Sequence, residues 1–196
     1  MPSSGARAVF LDRDGTLVDE LGFLRRAADV RLLPGAAEGV RLFNRAGWRT
    51  VVVTNQSGIA RGLLDETALA EVHARMQALL ACEGARLDAI LHCPHHPDEG
   101  LPPLRCVCAC RKPAPGLLLE AARRFALELG ASWIVGDSLR DLEAGARAGL
   151  AGGVLVLTGK GQDEHAHAAT APRTAADLPG AARLILSAAR PELARE

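Results

Sequence analysis

The stretch AVFLDRDGTLV, from Ala8 to Val18, constrains this chain more than any other. Four apolar residues, Ala8 to Leu11, form a short continuous run that suits a strand buried on both faces of a parallel sheet. Two carboxylates, Asp12 and Asp14, follow where such a strand ends, and Gly15 lets the backbone turn sharply beside a bound group. In open α/β sheets, ligands bind outside the carboxyl ends of the strands. Two residues apart in an extended segment, these carboxylates face the same way and can share one small ion or one phosphoryl group. Alone, an Asp-x-Asp-Gly is equally at home in a solvated turn. The rest of the chain decides between the two.

The same grammar repeats downstream. Thr50 to Thr54 (TVVVT) reads as a second buried strand and ends in Asn55, Gln56, Ser57 and Gly58. Ala89 to His92 reads as a third, running into Cys93. Ser132 to Val135 is the fourth, ending in Gly136-Asp137, and Val154 to Leu157 the fifth. Helices are expected over 36–46, from Asp65 with Leu69, Val72, Met76, Leu79 and Leu80 on one stripe, and over 117–129, 139–148 and about 180–189. The stretch between the fifth strand and the last helix reads as a loop rich in Ala and His. Alternating strand and helix predict an α/β fold, a three-layer Rossmann-like parallel sheet with helices on both faces. A length of 196 residues suits a single domain, 1–196.

Composition removes whole classes of function. Lys plus Arg equals Asp plus Glu at 23 each, and only six residues are aromatic. No overall field and no stacking platform point to nucleic acid, and no apolar run approaches a membrane span. Met1 to Arg7 lack the apolar core of a secretion signal, so a soluble, cytoplasmic chain is expected. A monomer is the simplest expectation. All but two of the cationic side chains are arginines, which makes Lys112 and Lys160 conspicuous. Lys160, in TGKG, could reach a phosphate.

Read together, the strand ends converge: Asp12 and Asp14 after the first, Thr54 and Asn55 after the second, Asp137 and Asp141 after the fourth, with Lys112 opening a helix between them. Phosphoryl transfer needs positioning, a metal and a nucleophile. In this scheme Asp12 attacks phosphorus and becomes an aspartyl phosphate. Mg²⁺ is held by Asp12, Asp137 and a backbone carbonyl at Asp14, whose side chain serves as general acid and then base. Thr54 and Lys112 hold the transferring oxygens. Asp141 either orients the metal's water or begins a helix turn. The set resembles the haloacid dehalogenase-like hydrolases, whose four motifs match DRDGT, Thr54, the lysine of Arg111-Lys112-Pro113, and GDSLRD.

Four of the five cysteines lie between Cys93 and Cys110 in CPHHPDEGLPPLRCVCACRKPAPG. Cys93, His95, Cys106, Cys108 and Cys110 are five soft candidates for a four-coordinate structural Zn²⁺ site. Cys82, on a helix, reads as a core thiol, and His92 and His96 as ordinary strand and loop residues. The loop resembles that of the D-glycero-D-manno-heptose 1,7-bisphosphate phosphatases, and by that match the ligands are Cys93, His95, Cys108 and Cys110. The likeness runs through FLDRDGTLV, VVVTNQSGIARG, CPHHP, CRKPAPG and GDSLRDLEAG. It implies a phosphatase without a large cap domain, acting on a small phosphorylated sugar. It also implies substrate contacts at Glu20, Leu21, Gly22 and Phe23, at Thr54, Asn55, Gln56 and Ser57, and at Arg111 and Lys112. ELGF at 20–23 differs from the family's more polar segment, and the scaffold also resembles histidinol-phosphate phosphatases, the alternative reading. His165 and His167, near Asp163 and Glu164, are expected to be a solvated loop.

Overall fold

The computed structural model describes residues 5–189. Six parallel strands form one sheet in the order β3-β2-β1-β4-β5-β6. Strand β1 (Ala8–Leu11) lies centrally, between β2 (Arg49–Asn55) and β4 (Trp133–Gly136). Outside them run β3 (Ala89–Cys93) on one side and β5 (Gly152–Val156) and β6 (Thr174–Ala175) on the other. The helices are α1 (Ala36–Arg45), α2 (Glu66–Cys82), α3 (Gly116–Phe125), α4 (Leu139–Ala148), α5 (Gly161–Ala166) and α6 (Leu178–Ala188). None is long and apolar enough to cross a membrane.

Side chains alternate across a strand, so β1 divides its residues between two cores. Val9 and Leu11 join Val40 and Phe43 of α1, Val72 and Met76 of α2, and Ile185 of α6. Ala8 and Phe10 join Leu118 and Ala121 of α3 and Ala144 of α4. Every residue of β1 is fully buried, as a continuous apolar run in a doubly covered sheet requires. Removing each large side chain from water stabilises the fold by roughly 1.5–3 kcal/mol. The expected three layers are therefore present. The segments after β1 and β3 are loops and short turns, with no inserted cap among the described residues.

The chain lays β1, β2 and β3 outward in one direction, then crosses back to lay β4, β5 and β6 in the other. The carboxyl ends of β1 and β4 thus flank the crevice where the winding reverses, the usual ligand position in such sheets.

Four expectations need correction. Cys82, expected as a core thiol, is exposed at the last position of α2. The helix expected to run to Leu129 ends at Phe125, where Ala126 takes a left-handed φ of 50°. The chain leaves the helix there because Ala6 N–H donates to Ala126 O and Glu128 N–H to Ala6 O, drawing 126–128 alongside the start of β1. Residues 158–180 are not all loop, since α5 and β6 lie within them; Thr174–Ala175 adds a sixth strand beside β5. Lys112 does not open a helix: it sits in the turn before α3, four positions ahead of Gly116.

Candidate active site

Lys112 is the hub. Its side chain is 1% exposed, and its Nζ lies 2.9 Å from Asp12 Oδ1 and 2.6 Å from Asp141 Oδ1, while donating to Val53 O at 2.8 Å. A lysine buried this completely is tolerable only when paired, and here two carboxylates and a carbonyl surround it. Burial disfavours the charged ammonium, but Asp12 and Asp141 more than offset that and hold its pKa above the ordinary value. Its backbone is pinned too: Lys112 N–H donates to Asn55 Oδ1 at 3.0 Å and Asn55 Nδ2 donates to Lys112 O at 3.1 Å. Asn55, at the end of β2, thereby sets the lysine's position from 57 residues away.

Asp141 takes the second of its two expected roles, at the start of a helix. It is the third helical residue of α4, and its Oδ2 accepts from Ser138 N–H at 3.2 Å in a capping box, while its Oδ1 faces Lys112. Burial pushes its pKa up to about 6 against the pull of Lys112.

Asp14 is held from behind. Arg13, 1% exposed, donates from Nε and Nη2 to its carboxylate at 2.9–3.2 Å, and Gln56 Nε2 donates to Asp14 Oδ2 at 2.9 Å. Burial raises the Asp14 pKa, Arg13 opposes, and the charge of Asp12 adds to the rise. Such a group suits the general acid of a two-carboxylate pair.

Asp137, directly after β4, is approached by two glycines. A Cβ on Gly15 would meet Asp137 Oδ2 at 2.0 Å, and one on Gly159 would meet it at 2.3 Å; both backbones have positive φ. The same oxygen accepts from Lys160 N–H at 2.9 Å. Burial, with the nearby charges of Asp12 and Asp141, pushes its pKa up to about 7. Carboxylate oxygens of Asp12, Asp137 and Asp141 lie within 4.8 Å of one another, an all-oxygen cluster of the kind a hard divalent cation takes. Both oxygens of Asp141 are engaged, by Lys112 and by Ser138 N–H, whereas Asp12 meets Lys112 and Arg13 N–H through Oδ1, which leaves Asp12 Oδ2 and Asp137 as the pair suited to a cation. The Asp14 side chain is turned to Arg13 and Gln56 instead.

A cavity of about 170 Å³ opens over this floor. Asp12, Asp14, Thr54, Lys112 and Asp137 line it, with Glu20, Gly22, Phe23, Asn55, Ser57 and Arg111 around them. Two of the expected substrate contacts stand apart from it. Leu21 is 57% exposed on the outer side of its loop, and the Gln56 side chain is buried and turned towards Arg13, Asp14 and Thr54. Lys160 does line the cavity, with its Nζ 3.2 Å from Glu20 Oε2. Arg140 also lines it and was missed by the sequence reading. The signal was a basic residue in the first turn after Gly136-Asp137-Ser138, where a helix start faces the crevice.

The cysteine loop closes beside this cavity. Cys93, His95, Cys108 and Cys110 bring their ligand atoms within 4.8 Å of one another, and neighbouring pairs are 3.1–3.5 Å apart. A tetrahedral ion with Zn–S bonds near 2.3 Å would set its ligands roughly 3.5–3.8 Å apart. The four residues fit a zinc ion with little adjustment. Cys106 is not among them and instead lines a separate surface depression with Val107 and Arg147. His165 lies in α5 rather than in a loop, and neither it nor His167 joins a metal-ligating group. His92 bonds Glu66, and His96 contacts Arg61.

Comparison with known proteins places this geometry in a family. A family model described as HAD-hydrolase-like matches residues 109–180. The D-glycero-beta-D-manno-heptose-1,7-bisphosphate 7-phosphatase of Photorhabdus laumondii is 40% identical over 185 residues, covering 93% of this chain and 98% of that one. The enzyme of the same name from Bordetella bronchiseptica is 43% identical over 157 residues, 80% of this chain and 83% of its own. A crystal structure of the D,D-heptose 1,7-bisphosphate phosphatase of B. bronchiseptica, complexed with magnesium and phosphate, superposes with a TM-score of 0.83 at 39% identity, over 93% of this chain and 99% of that one. Similarity of that extent, with the motif residues gathered in one cavity, leaves a single assignment: the chain belongs to the haloacid dehalogenase-like hydrolases, in the family of the D-glycero-beta-D-manno-heptose-1,7-bisphosphate 7-phosphatases.

Proposed function

We propose that this chain is a Mg²⁺-dependent phosphatase that removes the C7 phosphate of D-glycero-D-manno-heptose 1,7-bisphosphate, a step towards nucleotide-activated heptose and lipopolysaccharide. It acts as a single domain, 1–196, as a monomer in the cytoplasm. The observation that carries the reading is the buried Lys112 locked against Asp12, with Asp14 fixed beside it on the same cavity floor. An Asp12 oxygen attacks phosphorus as the P–O bond to C7 breaks, and the proton of Asp14 passes to the departing oxygen. Water then attacks the aspartyl phosphate, giving its proton to Asp14 and releasing phosphate from Asp12. Thr54 and Lys112 hold the transferring oxygens meanwhile. Asp12, Asp137 and the backbone carbonyl of Asp14 would hold Mg²⁺, which offsets the negative charge gathered at the phosphoryl group.

Arg111 and Arg140 on the cavity wall support a bisphosphate over histidinol phosphate. Two guanidiniums suit a second phosphate and oppose the ammonium of histidinol, while Lys160 is paired with Glu20. Cys93, His95, Cys108 and Cys110 would hold a structural Zn²⁺, with no position left open for chemistry. Comparing kcat/KM for the heptose bisphosphate, histidinol phosphate and other sugar phosphates tests the substrate. The heptose ester is expected to lead, and a preference for histidinol phosphate would overturn the choice. Asp12→Asn is expected to abolish Mg²⁺-dependent phosphate release even from p-nitrophenyl phosphate; a fully active variant would remove Asp12 as nucleophile.

A further inference from the structure

The Gln56 side chain lies beneath the cavity floor, 6% exposed, and every polar atom on it is engaged. Its Oε1 accepts from Arg13 Nη2 at 2.9 Å. Arginine can only donate, so the amide orientation is fixed by that contact. The Nε2 hydrogens then point to Asp14 Oδ2 and to Thr54 Oγ1, each at 2.9 Å. Arg13 is itself locked by its fork on Asp14 and by His73, whose Nε2 lies 3.2 Å from Nη1. A single amide thus ties two groups of the cavity wall to a rigid buried cation.

We propose that Gln56 is a positioning residue for proton transfer, holding the Asp14 carboxyl in line with the leaving oxygen, rather than a group that touches substrate. The inference rests on the phosphatase reading above. Breaking an alkyl ester requires the Asp14 proton to arrive on the departing oxygen as the bond to phosphorus breaks. A p-nitrophenolate departs as a stable anion and needs no such proton. Gln56 is built to affect the first case more than the second. Its hold on Thr54, whose hydroxyl faces the phosphoryl group with either ester, affects both alike.

The experiment compares kcat/KM, which reports the first phosphoryl transfer, on p-nitrophenyl phosphate and on the alkyl phosphate the wild type turns over best. Gln56→Met keeps the length and loses all three hydrogen bonds; Gln56→Glu keeps an acceptor for Arg13 and loses both donors. In each, the loss on the alkyl ester is expected to exceed that on the aryl ester by about tenfold or more, a fraction of the ~10²–10⁴ attributable to general acid catalysis. Equal losses on the two esters, or none, would overturn the proposal, since a general loosening of the site carries no leaving-group preference. Failure of the phosphatase reading shows separately, as a wild type without Asp12-dependent activity on either ester.

Discussion

At the scale of single residues, the site is governed by charge placed where water cannot reach it. Removing Lys112 strands Asp12 and the fully buried Asp141 together. Lys112→Met is expected to cost about 3 kcal/mol or more of stability in urea unfolding. The cost should shrink when Asp141→Asn is already present, because the stranded charge is then gone; equal costs in both backgrounds would show that the pair does not couple. His73 works in the opposite sense. Burial, and then the charge of Arg13, push its pKa down to about 3, so it accepts a hydrogen bond from Arg13 as a neutral ring. Below the ordinary value of 6.5 the unfolded chain takes up a proton that the fold refuses until about pH 3. Its contribution to stability is therefore full above 6.5 and fades as the pH falls across that interval. An NMR titration should find the ring unprotonated at pH 5, and a midpoint near 6.5 would contradict the packing. None of this network is legible in the sequence, because Arg13 meets Gln56 and His73 only across 43 and 60 residues of chain. Asp12, Asp14 and Asp137 were legible, since each lies within three residues of the end of an apolar run.

Among the elements, legibility follows how much apolar pattern each one carries. The strands β1, β2 and β4 are buried on both faces, and their short runs of Val, Ile and Phe declare them. Helix α5 spans six residues and β6 two, too few for a period to emerge. Helix α3 stops early because of hydrogen bonds to Ala6, a contact no local window contains. Its left-handed Ala126 carries a conformational cost that glycine would not. Ala126→Gly is expected to raise stability by about 0.5 kcal/mol, read as a higher denaturation midpoint with an unchanged slope. The cysteine loop has almost no apolar core of its own, and metal should supply its order. Cys108→Ser is expected to lose the zinc while Cys106→Ser keeps one ion per chain, as counted by elemental analysis. The reverse result would exchange the two in the ligand set.

Across the whole molecule, the crevice depends on three separated parts of the chain meeting at the middle of one sheet. The close approach of Gly15 and Gly159 to Asp137 fixes how tightly they meet. Gly15→Ala would drive a methyl group into the carboxylate and is expected to abolish activity, with the fold retained by circular dichroism. Activity persisting in that variant would mean the approach is looser than described. Fold class and strand ends could be read in advance because strand and helix alternate so regularly. The order in which strands lie side by side could not, for it depends on β1 pairing with β4 across more than a hundred residues. That long reach has a temporal consequence. A chain growing or refolding from its amino end makes β1 beside β2 early, yet holds only half a pocket until β4 swings in against β1. Turnover during refolding should accordingly lag behind recovery of helical signal, which makes the enzyme's own product a clock for the last long-distance pairing to close.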